Sequence, residues 1–176
     1  MNKNFIAIKN NFLTKKECKS LIKDLDKGLK KSPKNYQGYE YKDIKIKKIQ
    51  ELIVIKALDV LKTYASIYPE LDLTEDKFAL TELRFKKFKG KKYFDKWHSE
   101  NCLKYPNRIL NLMIYLSDHD CGTEFFSGEV IPSVAGSAVV FPSYFTHTHK
   151  GQPCPKGKTR YIITGYFIFI LLENRS

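Results

Sequence analysis

The sequence predicts a mainly β fold with N-terminal helices packed on one sheet, and three observations predict it. Two stretches with apolar residues at helical spacing lie before Asp72, six short apolar or alternating runs follow it, and turn signals separate those runs. Helices first and strands afterwards suggest helices stacked on one face of an antiparallel sheet. Many short strands without intervening helices indicate a sandwich or barrel, and a double-stranded β-helix (a jelly roll, cupin-like) closes such strands around a pocket. The 176 residues suit one domain, 1–176, with a helical support region at 1–78 and a jelly-roll core at 79–172.

Phe5 to Ile8 is a short strand candidate, broken by Asn10-Asn11. Thr14-Lys15-Lys16-Glu17 is a capping box, and Cys18, Leu21, Ile22, Leu25 and Leu29 follow at helical spacing, with Gly28 near the end. Ser32 to Tyr41, with Pro33, Gly38 and three tyrosines, reads as a loop, either a substrate lid or ordinary surface. A second helix is predicted from about Ile46 to Tyr68, with Ile49, Leu52, Ile53, Ala57, Val60, Leu61 and Tyr64 on one side and Pro69 limiting its end. The predicted strands are Leu80 to Phe88, Lys92 to Glu100, Ile109 to Leu116, Thr123 to Phe126, Ser137 to Phe141 and Arg160 to Leu171. Turns fall at Gly90, Pro106-Asn107, Asp118 to Gly122, Ser127-Gly128, Pro132, Gly136, Pro142-Ser143 and Gly151 to Gly157.

Composition narrows the function classes. A 43% hydrophobic and 14% aromatic content fits a globular chain, and no apolar run is long enough for a membrane span. Met1 to Asn11 alternates polar and apolar residues, unlike a signal peptide. Cys18, Cys102, Cys121 and Cys154 form no C-x-x-C pair, so free thiols are expected, and with them a reducing, cytoplasmic setting. The net charge of +12, from 31 basic and 19 acidic residues, would attract anions, including nucleic acid. The lysines are spread along the whole chain, which favours a solvated surface over a nucleic-acid interface.

The chemistry centres on Trp97-His98-Ser99-Glu100. In an extended segment residues two apart share a side, so His98 and Glu100 can close on one ion. A histidine from a distant strand would complete three ligands on one face, a set that suits Fe(II) with positions left open for oxygen and a cosubstrate. H-x-E triplets also arise by chance, so the weight falls on the order of residues around this one.

From Leu83 onward the chain resembles the Fe(II)/2-oxoglutarate-dependent dioxygenases of the prolyl 4-hydroxylase type. The likeness is carried by Phe88-Lys89-Gly90, Tyr93, Trp97-His98-Ser99-Glu100, Arg108 to Leu116, Gly122-Thr123-Glu124-Phe125, Val130 with Pro132, Gly136, Ala138 to Ser143, His147, and Gly157 before Arg160-Tyr161. Two departures stand out: Glu100 where the family usually has aspartate, and Cys121-Gly122 where it has a glycine pair. The resemblance implies His98, Glu100 and His147 as catalytic metal ligands, with His149 as the alternative distal ligand. His147 is favoured because two extra residues fit more easily into the turn at Gly151 to Gly157 than beside a ligand. Arg160 would bind the far carboxylate of 2-oxoglutarate through its fork, with Lys158 as fallback. Tyr115 would donate a hydrogen bond to the same carboxylate, and Thr164 would line the pocket. Arg108 and Trp97 are candidates for the substrate side, and His119 reads as a surface residue.

The implied activity is hydroxylation coupled to decarboxylation of 2-oxoglutarate, with Fe(II), 2-oxoglutarate and oxygen required and ascorbate left open as a further reductant. A protein side chain such as proline, or a small metabolite, is the expected substrate. The rivals are a non-enzymatic jelly-roll binding module, a nucleic-acid-directed oxygenase, and a zinc hydrolase, which would leave Arg160 unexplained.

Overall fold

The structure, a computed structural model, describes residues 3–32, 38–74, 77–154 and 157–170. Ten strands among them are β1 (Ala7–Lys9), β2 (Lys30–Lys31), β3 (Glu40–Asp43), β4 (Phe78–Phe88), β5 (Arg108–Tyr115), β6 (Gly122–Phe125), β7 (Val130–Pro132), β8 (Ala138–Pro142), β9 (His149–Gly151) and β10 (Arg160–Phe169). The helices are α1 (Lys15–Leu25) and α2 (Lys47–Ile67). The strands form a large antiparallel sheet, β1-β8-β5-β10-β4-β3-β2, and a small one, β7-β6-β9. This is the jelly-roll arrangement with helices on one sheet that the sequence predicts.

Local chemistry explains the elements. Thr14 caps α1 by accepting from the Glu17 amide at 3.1 Å, while Glu17 accepts from the Thr14 amide at 2.7 Å. α1 ends at Leu25, a turn earlier than the apolar spacing suggested, and Gly28 turns the chain with φ +63°. The central strand β5 is buried along its whole length, as its nearly continuous apolar sequence requires of a strand covered on both faces. Leu112 and Ile114 join Leu21, Leu25, Ile53 and Val60 in the core beneath the helices. Met113 and Tyr115, alternating with them, enter a second core with Phe88, Phe125, Val139 and Phe141 between the sheets. The functional side chains stand at the edge of this second core.

Several expectations change. Lys92 to Glu100 is not a continuous strand: it crosses from one sheet toward the other and contributes a single bridge, His98 to His149. Residues 1–78 supply more than helices, since β1, β2 and β3 all join the large sheet. Their pairing satisfies backbone groups at its two ends, a need that short polar segments do not advertise in sequence. The loop predicted at Ser32 to Tyr41 lies partly outside the described residues, at 33–37, as do Pro155 and Lys156 of the predicted Gly151 to Gly157 turn and Leu171 at the end of the last predicted strand. Cys121 and Cys154 form a disulfide with Cα atoms 5.1 Å apart, so the expectation of four free thiols holds only for Cys18 and Cys102. Their separation of 33 residues hid the pairing; β6 and the segment before β10 bring them together.

Candidate metal and cosubstrate site

An antiparallel bridge closes the centre of the site. The His98 amide donates to the His149 carbonyl at 3.0 Å and the His149 amide returns a bond at 2.9 Å, which sets the two imidazole centroids 4.4 Å apart. Two residues on, the amides of Glu100 and Asn101 both donate to the Ser143 carbonyl, at 3.0 and 2.8 Å. Glu100 thereby returns to the side of His98, its Oε1 3.4 Å from the His98 Nε2. Ligand atoms of His98, Glu100 and His149 all lie within 4.8 Å of one another.

The structure gathers His149 here and leaves His147 outside. His147 ends a short 3₁₀ turn, Phe145–His147, and its Nε2 bonds the Asn4 carbonyl at 2.8 Å beside a separate apolar cavity of about 640 Å³. The two extra residues are absorbed in this turn ahead of β9, not in the later hairpin. His147 and His149 therefore do not share a strand face.

Each clustered imidazole is held through its far nitrogen. His149 Nδ1 lies 3.0 Å from the His147 carbonyl, and His98 Nδ1 lies 3.0 Å from the Lys96 carbonyl. A carbonyl only accepts, so each Nδ1 carries the proton and each Nε2 presents its lone pair to the cluster. Burial, and then the neighbouring His98, push the His149 pKa down to about 3, which keeps the ring neutral. Burial pushes Glu100 upward, but the His98 ring beside it and the positive charge of Lys86 outweigh this and hold the carboxyl well below its usual range. Two neutral imidazoles and one carboxylate are the donors that ferrous iron accepts while keeping positions open.

Glu100 is steadied from behind. Arg108 Nη1 donates to its Oε2 at 3.1 Å, and Arg108 also pairs with Glu82. The guanidinium lies between Tyr105 and Tyr166, 3.7 Å from each ring centroid. Glu82 reaches it from a bulge in β4, where Glu82 and Leu83 together oppose Gly165 and Glu82 takes φ +54°. Arg108 is thus buried against the Glu100 carboxylate, and Trp97 stands apart, stacked edge-on with Phe126 under Lys150.

A small cavity opens from the triad toward Arg160, lined by Tyr115, Met113, Thr123 and Ile162 among others. Arg160 is buried over the Phe88 ring at 4.9 Å; its Nη1 donates to the Gly122 carbonyl at 3.1 Å and its Nε has no partner among the described residues. A Cβ on Gly151 would come within 3.1 Å of both the guanidinium and the Phe94 amide, so glycine keeps that wall clear. Tyr115 donates to Thr123 Oγ1 at 2.8 Å, and burial pushes its phenol up to about 12, so it stays a donor. A buried guanidinium with an unused donor, a tyrosine hydroxyl and an apolar wall fit the far carboxylate and methylene chain of a keto diacid. Lys158 is exposed. Thr164 lies on the Arg160 face of β10, between Ile162 of this cavity and Tyr166 of a larger one, with its hydroxyl buried and without a partner among the described residues. His119 is half-buried, bonded to Ser117 and close to the Cys121–Cys154 disulfide, whose sulfurs offer no thiolate.

Sequence reasoning missed Lys86, Phe94 and Glu82. Strand alternation carries the signal for Lys86, since it shares a face of β4 with Phe88; the surrounding lysines made it look like part of a solvated run. Phe94, 4.2 Å centroid to centroid from His98, gave no periodic signal because its segment is irregular.

Residues 83–168 match the family model of the 2OG-Fe(II) oxygenase superfamily. Among solved structures, the chain is similar to the viral collagen prolyl hydroxylase of Paramecium Bursaria Chlorella virus-1 in its 2OG complex, with 20% identity, TM-score 0.74, and coverage of 94% of this chain and 97% of that one. It is also similar to a Pseudomonas putida prolyl-4-hydroxylase, with 20% identity, TM-score 0.71, and coverage of 93% and 91%. A Trichoplax adhaerens prolyl hydroxylase in complex with a hypoxia inducible factor peptide gives 17% identity, TM-score 0.72, and coverage of 95% and 84%. Comparison with curated proteins gives no match. That match spans the segments that carry His98, Glu100, His149 and Arg160, so residues 83–168 are the part of the chain that matches the 2OG-Fe(II) oxygenase superfamily, and the chain is a 2-oxoglutarate-dependent oxygenase.

Proposed function

We propose that the protein hydroxylates a peptide side chain, in the manner of a prolyl 4-hydroxylase, with His98, Glu100 and His149 as the metal ligands and Arg160 with Tyr115 as the anchor of 2-oxoglutarate. Bound Fe(II) and 2-oxoglutarate supply the oxidative chemistry: the keto acid is decarboxylated to succinate, one oxygen atom of O₂ entering succinate and the other the substrate. Ascorbate belongs to the same proposal, as the reductant that keeps iron ferrous.

The protein's part is orientation. The carbonyls of Lys96 and His147 fix the two imidazoles, and Arg108 holds one oxygen of Glu100 so that the other faces the cluster. The added methylene of glutamate gives the carboxylate this double reach. Arg160 would grip the far carboxylate at the closed end of the small cavity, with the Tyr115 hydroxyl beside it, and Phe88 and Ile162 would exclude water from the chain between. A second cavity of about 420 Å³ begins at His98 and Glu100 and leads outward past Tyr39, Tyr105 and Tyr166. It offers a peptide access to the metal, and the prolyl hydroxylases among the structural neighbours make proline the first residue to try.

The observation that carries the reading is the convergence of His98, Glu100 and His149 at one end of a cavity whose other end is Arg160. The experiment is anaerobic reconstitution with Fe(II) and 2-oxoglutarate, followed by a succinate assay against proline-containing peptides. His149→Ala should abolish succinate formation and His147→Ala should retain most of it. The reverse pattern would overturn the ligand assignment, and no turnover by the unaltered protein with any peptide would remove the peptide reading.

A further inference from the structure

The cations around the site are not equivalent. Along β4 and just beyond it, Arg84 is paired with Asp43 at 2.7 Å, Lys87 with Asp26 at 2.7 Å and Lys89 with Glu40 at 2.8 Å. Lys86, in the middle of this series, has no ion pair among the described residues. Its register opposite Ile162 and its place two residues from Phe88 turn it to the inner face of the sheet, away from the lysines that meet solvent. There it lines both the small cavity of Arg160 and the larger outward cavity. Its ammonium stands 5.8 Å from the centroid of the Tyr39 ring, and its charge acts on both Glu100 and His149.

A half-buried ammonium without an ion pair has lost hydration that the nearby Glu100 charge offsets only in part. Burial accordingly pulls the Lys86 pKa down. The acids near it are committed elsewhere: Glu100, the one acid among the residues lining the outer cavity, faces His98 and Arg108. Farther out, Lys104 lies 5.3 Å from the Tyr105 centroid and also has no ion pair among the described residues. The cavity therefore presents tyrosine rings and two ammonium groups without an ion pair among the described residues to whatever enters, on a chain of net charge +12. A carboxylate at Lys86 has two possible sources, the cosubstrate or the substrate. Arg160 already gives the cosubstrate a buried anchor, and Lys86 keeps a second outlook onto the cavity that Arg160 does not line.

We propose that the substrate is an acidic peptide, in which an aspartate or glutamate close to the hydroxylated residue is held by Lys86. This rests on the peptide-hydroxylase reading above and adds its specificity. The test uses the full chain loaded with Mn(II) and 2-oxoglutarate under anaerobic conditions, with calorimetric titration of two matched peptides. One has a central proline flanked by glutamates, the other the same proline flanked by glutamines. The unaltered protein should bind the glutamate peptide about tenfold more tightly, Lys86→Arg should keep that preference, and Lys86→Met should reduce it to about twofold or less.

Equal binding of the two peptides by the unaltered protein overturns the proposal. So does a tenfold weakening of 2-oxoglutarate in Lys86→Met with the acidic preference intact, which would give Lys86 to the cosubstrate. Either result leaves Mn(II)-dependent 2-oxoglutarate binding in place, whereas its absence from the unaltered protein is the failure of the underlying reading.

Discussion

At the scale of single residues, the chain chooses between two histidines separated by one threonine. His147 and His149 are chemically identical, and their spacing suits one face of a strand, yet one ends a 3₁₀ turn and the other begins β9. Burial separates them further. His149 has a folded pKa near 3 against an ordinary 6.5, so it is neutral in the fold and takes up a proton on unfolding at any pH between those values. Stability contributed by the neutral ring is complete above about pH 6.5 and falls as the pH drops through this window. Glu100, with its folded pKa depressed, loses its contribution in the same direction below its ordinary 4.5. The metal-free protein should therefore show a falling urea midpoint from about pH 7 to about pH 5, and His149→Leu should flatten that slope. A midpoint unaffected by pH in the unaltered protein would contradict the buried neutral imidazole. The juxtaposition of His98, Glu100, Arg160 and Tyr115 was legible in sequence, from the H-x-E spacing for the first two and from the family resemblance for the others. The distal histidine was not, because the placement of a two-residue insertion depends on tertiary packing that spacing does not encode.

At the scale of elements, helices and long strands were the readable part. The Thr14–Glu17 capping box announces α1, and the nearly continuous apolar run of β5 announces a strand covered on both faces. Two- to four-residue strands such as β2, β3, β7 and β9 carry too little periodicity to be read, and each owes its pairing to a neighbour. The disulfide is of the same kind: it ties the turn before β6 to the segment before β10, on the side of the cavity where Arg160 meets the Gly122 carbonyl. Closing a loop of 33 residues restricts the unfolded chain by about 4 kcal/mol. Denaturant unfolding with and without reductant should differ by an amount of that order, and the Cys121→Ser, Cys154→Ser double variant should match the reduced protein. Coincident unfolding curves would show that the bridge does not form.

At the scale of the molecule, two cores share one large sheet. The helices cover its outer face and stiffen it, while the inner face and the small sheet enclose the polar groups. β10 is the common wall: Arg160 and Ile162 border the small cavity, and Tyr166 borders the outer one and packs on Arg108 behind Glu100. The basic surface reads differently at this scale than in composition. Many lysines are solvated or paired, while Lys86 and Lys104 line the outer cavity without an ion pair among the described residues. The central claim, that three ligands and a guanidinium converge on one ion and one keto diacid, is tested most directly by crystallography of the protein grown anaerobically with Mn(II) and 2-oxoglutarate. Anomalous density should lie among His98, Glu100 and His149, with the far carboxylate of 2-oxoglutarate on Arg160. Metal at His147, metal among His119, Cys121 and Cys154, or a cosubstrate that does not reach Arg160 would contradict it.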